Sequence, residues 1–159
     1  MGFQELPIRT TPIPETTRGV PHVQLGVQTN PAMNTALLAQ VAAIPDLEIR
    51  DTVISSPGAK GFWVSDNVRL SNSQAIVGGR EIAHMHPDGS LHASLPPELA
   101  AAAVKAGWAI PHPWAKLRKG WDGFVMIYTP TSAEELSVVT HLILESYNFV
   151  TGRQLRPAN

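Results

Sequence analysis

Apolar positions recur at helical spacing in three stretches of this chain and at strand spacing in several others. Asn30-Pro31, an N-cap followed by a first-turn proline, precedes Leu37, Leu38, Val41 and Ile44, and Pro45 ends the run, so a first helix is predicted there. Residues 47–54 are rich in β-branched side chains, and Ser56-Pro57-Gly58 turns the chain toward Phe62-Trp63-Val64 as a hairpin would. Residues 65–79 are mostly polar and read as loop with some strand. The segments 80–86 and 90–95 flank Pro87-Asp88-Gly89, whose glycine suits the left-handed position of a three-residue hairpin connection. Pro96-Pro97 opens a second helix over 99–106, which Gly107 ends. The run 124–128 is apolar on both faces between Gly123 and Pro130, the pattern of a central strand. Ser132 and Glu135 form a capping box for a last helix. Its stripe is Leu136, Val139, Ile143, Tyr147 and Val150, and Gly152 ends it.

This order favours an α+β fold: a single domain with an antiparallel sheet and helices packed on it, because the crossover helices of a parallel sheet are too few. The domain spans 31–152 and is followed by a tail, 153–159. An extended N-terminal arm, 1–30, precedes it, with five prolines between positions 7 and 31. The arm's length is compatible with a homodimer. Hydrophobic residues make up 43% of the 159 positions and charged residues 16%, with a net charge of −1, which argues against disorder and against a basic nucleic-acid surface. The absence of cysteine excludes disulfides, thiolate metal sites and cysteine nucleophiles. No stretch approaches the roughly 18 apolar residues of a membrane span. Met1-Gly2 is followed by Leu6 where a myristoylation pattern needs serine or threonine. The expectation is a soluble, cytoplasmic protein with a small-molecule partner and no nucleic acid or membrane.

The strongest chemistry lies in the 80–95 hairpin. Strict alternation puts Glu81, Ala83, Met85, Leu91, Ala93 and Leu95 on one face, and Arg80, Ile82, His84, His86, Ser90, His92 and Ser94 on the other. With His86 opposite Ser90, His84 faces His92 with Cβ atoms about 5 Å apart. Neutral imidazoles so placed can bind a divalent metal through His84, His86 and His92. They can equally take a proton from an acidic hydroxyl while Arg80 or a protonated histidine holds the anion. An exposed polar face of a half-buried sheet would give the same string. His112, held between two prolines, is either a displayed site residue or a loop residue. Trp108, Trp114 and Trp121 suit an aromatic-ligand pocket or ordinary packing, and Tyr128 offers a hydroxyl to a ligand or to the backbone. His141 shares a polar helix stripe with Glu134, Ser137, Glu145 and Asn148. Lys116, Arg118 and Lys119 form a basic surface loop, and His22 in the arm carries no argument by itself.

The string from Arg80 to His86, then Ser90-Leu91-His92, Gly107-Trp108, His112-Pro113 and Tyr128-Thr129-Pro130, resembles the luciferase domain of bioluminescent fungi and of its many non-luminous relatives, over residues 78–152. The resemblance implies oxidation of a small, acidic, enolic aromatic substrate such as the styryl-pyrone 3-hydroxyhispidin by O2, with loss of carbon dioxide and no organic cofactor. It therefore implies an oxygenase-like enzyme with His84, His86, His92 and Arg80 as catalytic residues and Trp108, His112, Trp114 and Tyr128 around the substrate. A divalent metal is the one cofactor left open. A non-catalytic binding module and a metal-dependent hydrolase are the alternatives. Thr131 stands where many members carry arginine, the hairpin turn is shorter than in the luminous enzymes, and no apolar N-terminal segment is visible. The last helix, with Ser146-Tyr147 near its end, is also similar to that of small proteins with a frataxin-like α+β fold, which bears on fold alone.

Overall fold

Local signals set most of the element boundaries in the computed structural model, which describes residues 5–157. The first residues of the arm, 1–4, and the end of the tail, 158–159, lie outside the described residues, and with them the Met1-Gly2 pattern. Asn30 caps helix α1 (Pro31–Ala42) by accepting from the Met33 amide at 3.1 Å. The first hairpin joins β3 (Leu47–Asp51) to β4 (Lys60–Val64). β3 stops three residues short of the predicted 54, because residues 52–55 turn around the side chains of Thr52 and Glu81. Residues 65–79 hold no strand of the main sheet, only a 3-10 turn at Ser73–Ala75. The second hairpin joins β5 (Glu81–Met85) to β6 (Leu91–Ser94), and Gly89 takes φ 92° as its connection requires. Helix α2 (Pro97–Lys105), edge strand β7 (Ala109–Pro111), β8 (Phe124–Ile127) and helix α3 (Ala133–Thr151) complete the order.

Six strands form one antiparallel sheet in the order β3-β4-β5-β6-β8-β7. Helices α1 and α3 pack against each other and on one face of it, so the architecture is α+β in a single domain. The core between these layers joins Leu37 and Val41 of α1, Phe62, Ala83, Leu91, Ala93, Val125 and Ile127 of the sheet, and the predicted α3 stripe Leu136, Val139, Ile143, Tyr147 and Val150. Each of its larger side chains contributes roughly 1.5–3 kcal/mol on burial. Ser132 caps α3 by accepting from the Glu135 amide, but the return arm of the capping box is displaced. Glu135 accepts from the amide and hydroxyl of Thr131 and from Thr11 of the arm instead.

One irregularity changes which residues share a face. Phe62 pairs with Ala83 and Trp63 with Glu81, so Ile82 is an extra residue in β5, a bulge. Alternation holds from Ala83 onward and inverts before it. Ile82 therefore joins the apolar core, and Glu81, expected on the core face, turns to the face of His84. The histidine face is not open either: every residue of β5 and β6 is buried.

The arm provides that cover. The Arg9 amide bonds the Ala106 carbonyl at 2.9 Å, and Arg9 lies over the Tyr128 ring at 5.4 Å. Farther on, β1 (Glu15–Thr16) and β2 (Gln24–Leu25) form a small antiparallel ribbon. Gln24 fastens it by donating to the Thr129 hydroxyl at 2.7 Å and accepting from the Thr129 amide at 2.9 Å. His22, between the two short strands, is thereby pressed onto the sheet.

Candidate functional site

The hairpin register places His84 directly opposite His92, as the alternation predicts, and Met126 of β8 opposite His92 on its other side. His84 on β5 and His86, one residue past its end, follow at a two-residue interval and share the face away from the helices. Two more imidazoles reach the same place from outside the hairpin. His112, just after β7, pairs by its amide with the Phe124 carbonyl at 2.9 Å, and its ring centre lies 4.6 Å from that of His92. His22 comes from the arm and stacks on His92 with ring centres 5.3 Å apart. All five rings are buried.

Hydrogen-bond partners decide where each ring carries its hydrogen. The Glu81 carboxylate receives the Val53 amide at 2.9 Å, the Thr52 hydroxyl at 2.7 Å and His84 Nδ1–H at 3.1 Å. That leaves His84 Nε2 unprotonated, and it accepts from His92 Nδ1–H at 3.0 Å. His92 Nε2 then accepts from His22 Nδ1–H at 3.2 Å. The line Glu81–His84–His92–His22 ends at His22 Nε2, which has no protein partner among the described residues. His86 is oriented separately. Ser90 donates its hydroxyl to Asp88 at 2.7 Å and so accepts from His86 Nδ1–H at 2.9 Å, leaving His86 Nε2 free. His112 is set the other way, since its Nδ1 accepts from the Trp114 amide at 3.0 Å and its hydrogen must sit on Nε2.

Burial, and secondarily the neighbouring imidazoles, holds His86, His92 and His112 neutral. The His86 pKa is lowered to about 4 and that of His112 to about 3, and His92 lies far below its ordinary value. His22 is lowered by burial as well. The unfolded chain takes up these protons near pH 6.5, whereas the folded chain refuses them down to about pH 4 at His86 and about 3 at His112. Their contribution to stability is complete above pH 6.5 and is lost as pH falls from 6.5 toward those values. In chelator-containing buffer the urea midpoint should fall through that window, by about 1.4 kcal/mol per pH unit for each histidine. A level midpoint from pH 6.5 to about 4 would contradict the neutral cluster.

The cluster opens on a cleft of about 360 Å³, lined by His22, His84, His92, His112, Trp114 and Phe124 along with residues of the arm and the 54–56 turn. A larger cleft of about 690 Å³ lies between α1, α3 and the tail, where His141 is the single imidazole. His141 is half-buried there and pairs with Glu145 at 3.5 Å.

The structure thus brings His84, His86, His92, His112 and Trp114 together and leaves three other candidates apart. Arg80 donates to the carbonyls of Val64, Ser65 and Val68, so its guanidinium organises the loop after β4 and does not face the imidazoles. Trp108 is packed in the core with its indole N–H on the Pro7 carbonyl at 2.7 Å, and Tyr128 lies under Arg9. Neither lines the histidine cleft. Trp121 is half-buried beneath Arg118, and the basic loop 116–119 is exposed. No helix among the described residues is long and apolar enough to cross a membrane.

Residues 79–146 match the family model described as Luciferase domain. A luciferase of Armillaria gallica is 28% identical over an alignment of 168 residues, covering 93% of this chain and 62% of the relative. Luciferases of Armillaria mellea and Armillaria ostoyae are each 38% identical over 79 residues, 46% of this chain and 29% of theirs. The chain therefore spans less than two thirds of the length of these relatives. No solved structure matches it, so the frataxin-like expectation has no counterpart to be measured against. The hairpin that carries three of the clustered imidazoles, together with His112 and most of α3, lies inside the matched segment, and over that segment, less than half of the chain, the protein is similar to the Luciferase domain family.

Proposed function

We propose that this protein is an oxygenase-like enzyme that binds a small, acidic, enolic aromatic molecule of the styryl-pyrone kind in the histidine cleft and oxidises it with O2. The observation that carries this reading is the line of hydrogen bonds that starts on a buried carboxylate and ends at an unprotonated imidazole nitrogen of a cleft-lining residue. An enol proton taken at His22 Nε2 needs two onward transfers, His22 to His92 and His92 to His84, for the positive charge to settle beside Glu81. His112 Nε2–H supplies the donor to the enolate, the part the sequence had given to Arg80. Trp114 and Phe124 offer aromatic walls to a planar ligand. Deprotonation makes the enol electron-rich enough to react with oxygen.

The test is to incubate the purified chain with 3-hydroxyhispidin and follow oxygen uptake, carbon dioxide and photons. Turnover is expected, and His22→Ala should lower kcat/KM by about 10²-fold or more. Thermal stabilisation by the pyrone with no consumption of oxygen or ligand would make the chain a binding module and remove the enzymatic reading.

A further inference from the structure

Three of these ring nitrogens converge on one another, two of them, His84 Nε2 and His86 Nε2, without a hydrogen of their own and the third, His92 Nδ1, holding the hydrogen it shares with His84. We propose that His84 Nε2, His86 Nε2 and His92 Nδ1 form a three-imidazole site for a divalent transition metal such as Zn²⁺, with its remaining coordination positions open toward the cleft. One nitrogen from each of the three rings lies within 4.8 Å of the other two. The closest pair, His84 Nε2 and His92 Nδ1, is 3.0 Å apart. Two nitrogens bound tetrahedrally to a single zinc at about 2.0–2.1 Å stand roughly 3.3–3.4 Å from each other, so that pair need open by only a few tenths of an ångström.

The ring nitrogens facing away from the centre carry the stronger argument. A metal-binding histidine needs a partner on its other nitrogen to set the ring and raise its basicity. Here His84 has the Glu81 carboxylate, His86 has Ser90 backed by Asp88, and His92 has His22. All three imidazoles are buried. Loading needs two tautomer shifts: the His92 hydrogen moves from Nδ1 to Nε2, which then donates to His22 Nδ1, and the His22 hydrogen moves from Nδ1 to Nε2. His22 then stands with His112 as a second donor to an anion in the cleft. In that state His22 no longer takes the enol proton, so the loaded site binds a substrate that is already ionised to its anion.

A second group, His22, His92 and His112, also has nitrogens within 4.8 Å of one another. It is the poorer set, because His112 Nδ1 is occupied by the Trp114 amide and Nε2 holds the hydrogen. The two sets give opposite expectations for His86 and His112.

Full-length protein is stripped with a chelator, checked by elemental analysis, and titrated with Zn²⁺ by calorimetry and with Co²⁺ by visible absorption, with no substrate present. About one metal per chain is expected, bound more tightly than about micromolar, with a cobalt spectrum of a nitrogen-ligated centre of low coordination number. The unfolding temperature should rise with metal concentration and return on chelation. His86→Ala should abolish binding. His112→Ala should keep it within about threefold, and the near-isosteric Glu81→Gln should weaken it about 10- to 100-fold through the His84 ring. Absence of stoichiometric binding by the wild-type chain overturns the proposal. So does loss of binding in His112→Ala with retention in His86→Ala. Because metal binding is read without substrate, its failure and a failure to oxidise the pyrone are separate results.

Discussion

Glu81→Gln is expected to lower kcat/KM for an enolic substrate about 10³-fold while the fold stays intact. The carboxylate meets three donors, the Val53 amide on Oε1 and the Thr52 hydroxyl and His84 Nδ1–H on Oε2. A glutamine has one acceptor oxygen. If that oxygen replaces Oε2, the amide nitrogen points at the Val53 N–H, donor against donor, in a buried place. If it replaces Oε1, Val53 is satisfied and an amide hydrogen faces His84 Nδ1, while the Thr52 hydroxyl, whose oxygen already receives the Ile54 and Ser55 amides, loses its acceptor. The second arrangement leaves fewer buried groups in conflict, and it forces the hydrogen of His84 onto Nε2. The nitrogen that should receive from His92, or bind a metal, is then blocked. The wrong tautomer of a catalytic imidazole held by a carboxylate costs on the order of 10⁴ in kcat in the serine-protease precedent. Glu81 is a positioning residue, so the loss should fall on kcat with KM little changed, and the ¹⁵N shifts of the His84 ring should report the exchanged tautomer. Equal loss in kcat and in the unfolding temperature, with an unaltered ring spectrum, would reduce Glu81 to a structural part.

Gly123→Ala should destabilise the fold by about 3 kcal/mol, at the upper end of what overpacking costs. A Cβ built at Gly123 would lie 1.8 Å from the Leu95 carbonyl oxygen and 2.8 Å from its carbon. Both contacts are backbone, so no side chain can swing aside. The crowding arises because Leu95 donates its amide to the Gly123 carbonyl at 3.0 Å, continuing the β6–β8 ladder one step past Ser94 and Phe124. Separating those strands would also disturb the His112 amide, which bonds the Phe124 carbonyl. The urea midpoint should drop with an unchanged m-value, and an unshifted midpoint would show that the strand ends can part freely.

What could be read from the string is what short-range geometry controls. The facing of His84 and His92 follows from a three-residue connection and a period of two, both contained within about ten residues, and the structure has that pairing. The helix caps at Asn30 and Ser132 are local in the same sense. The bulge at Ile82 is not, because it exists only where β5 meets the shorter course of β4. Even so, the reading contained a warning: it placed the Glu81 carboxylate on an apolar face, where burial without partners is costly, and that conflict itself points to a broken alternation. Arg80 failed as an anion partner for the same reason. It precedes the bulge and satisfies loop carbonyls.

His22 had a fainter signal. It and Gln24 are polar side chains two apart in an extended segment, so they share a side, and both are buried against the sheet. Nothing local says which side that is. Trp108 and Tyr128 look alike to Trp114 in a sequence, and the arm's path alone separates the two held by Pro7 and Arg9 from the one at the cleft.

The sequence by itself determined the α+β order of elements and three histidines on one face of a hairpin, because each rests on periodicity or turn chemistry. Tertiary structure alone decided that five imidazoles meet there, that a bulge turns Glu81 toward them, and that the arm closes over them. Those features join residues 20 positions apart, as His92 and His112 are, or 70, as His22 and His92 are, or depend on the register of a neighbouring strand. Such contacts form only when burial of the whole sheet face outweighs the chain entropy lost in bringing them together.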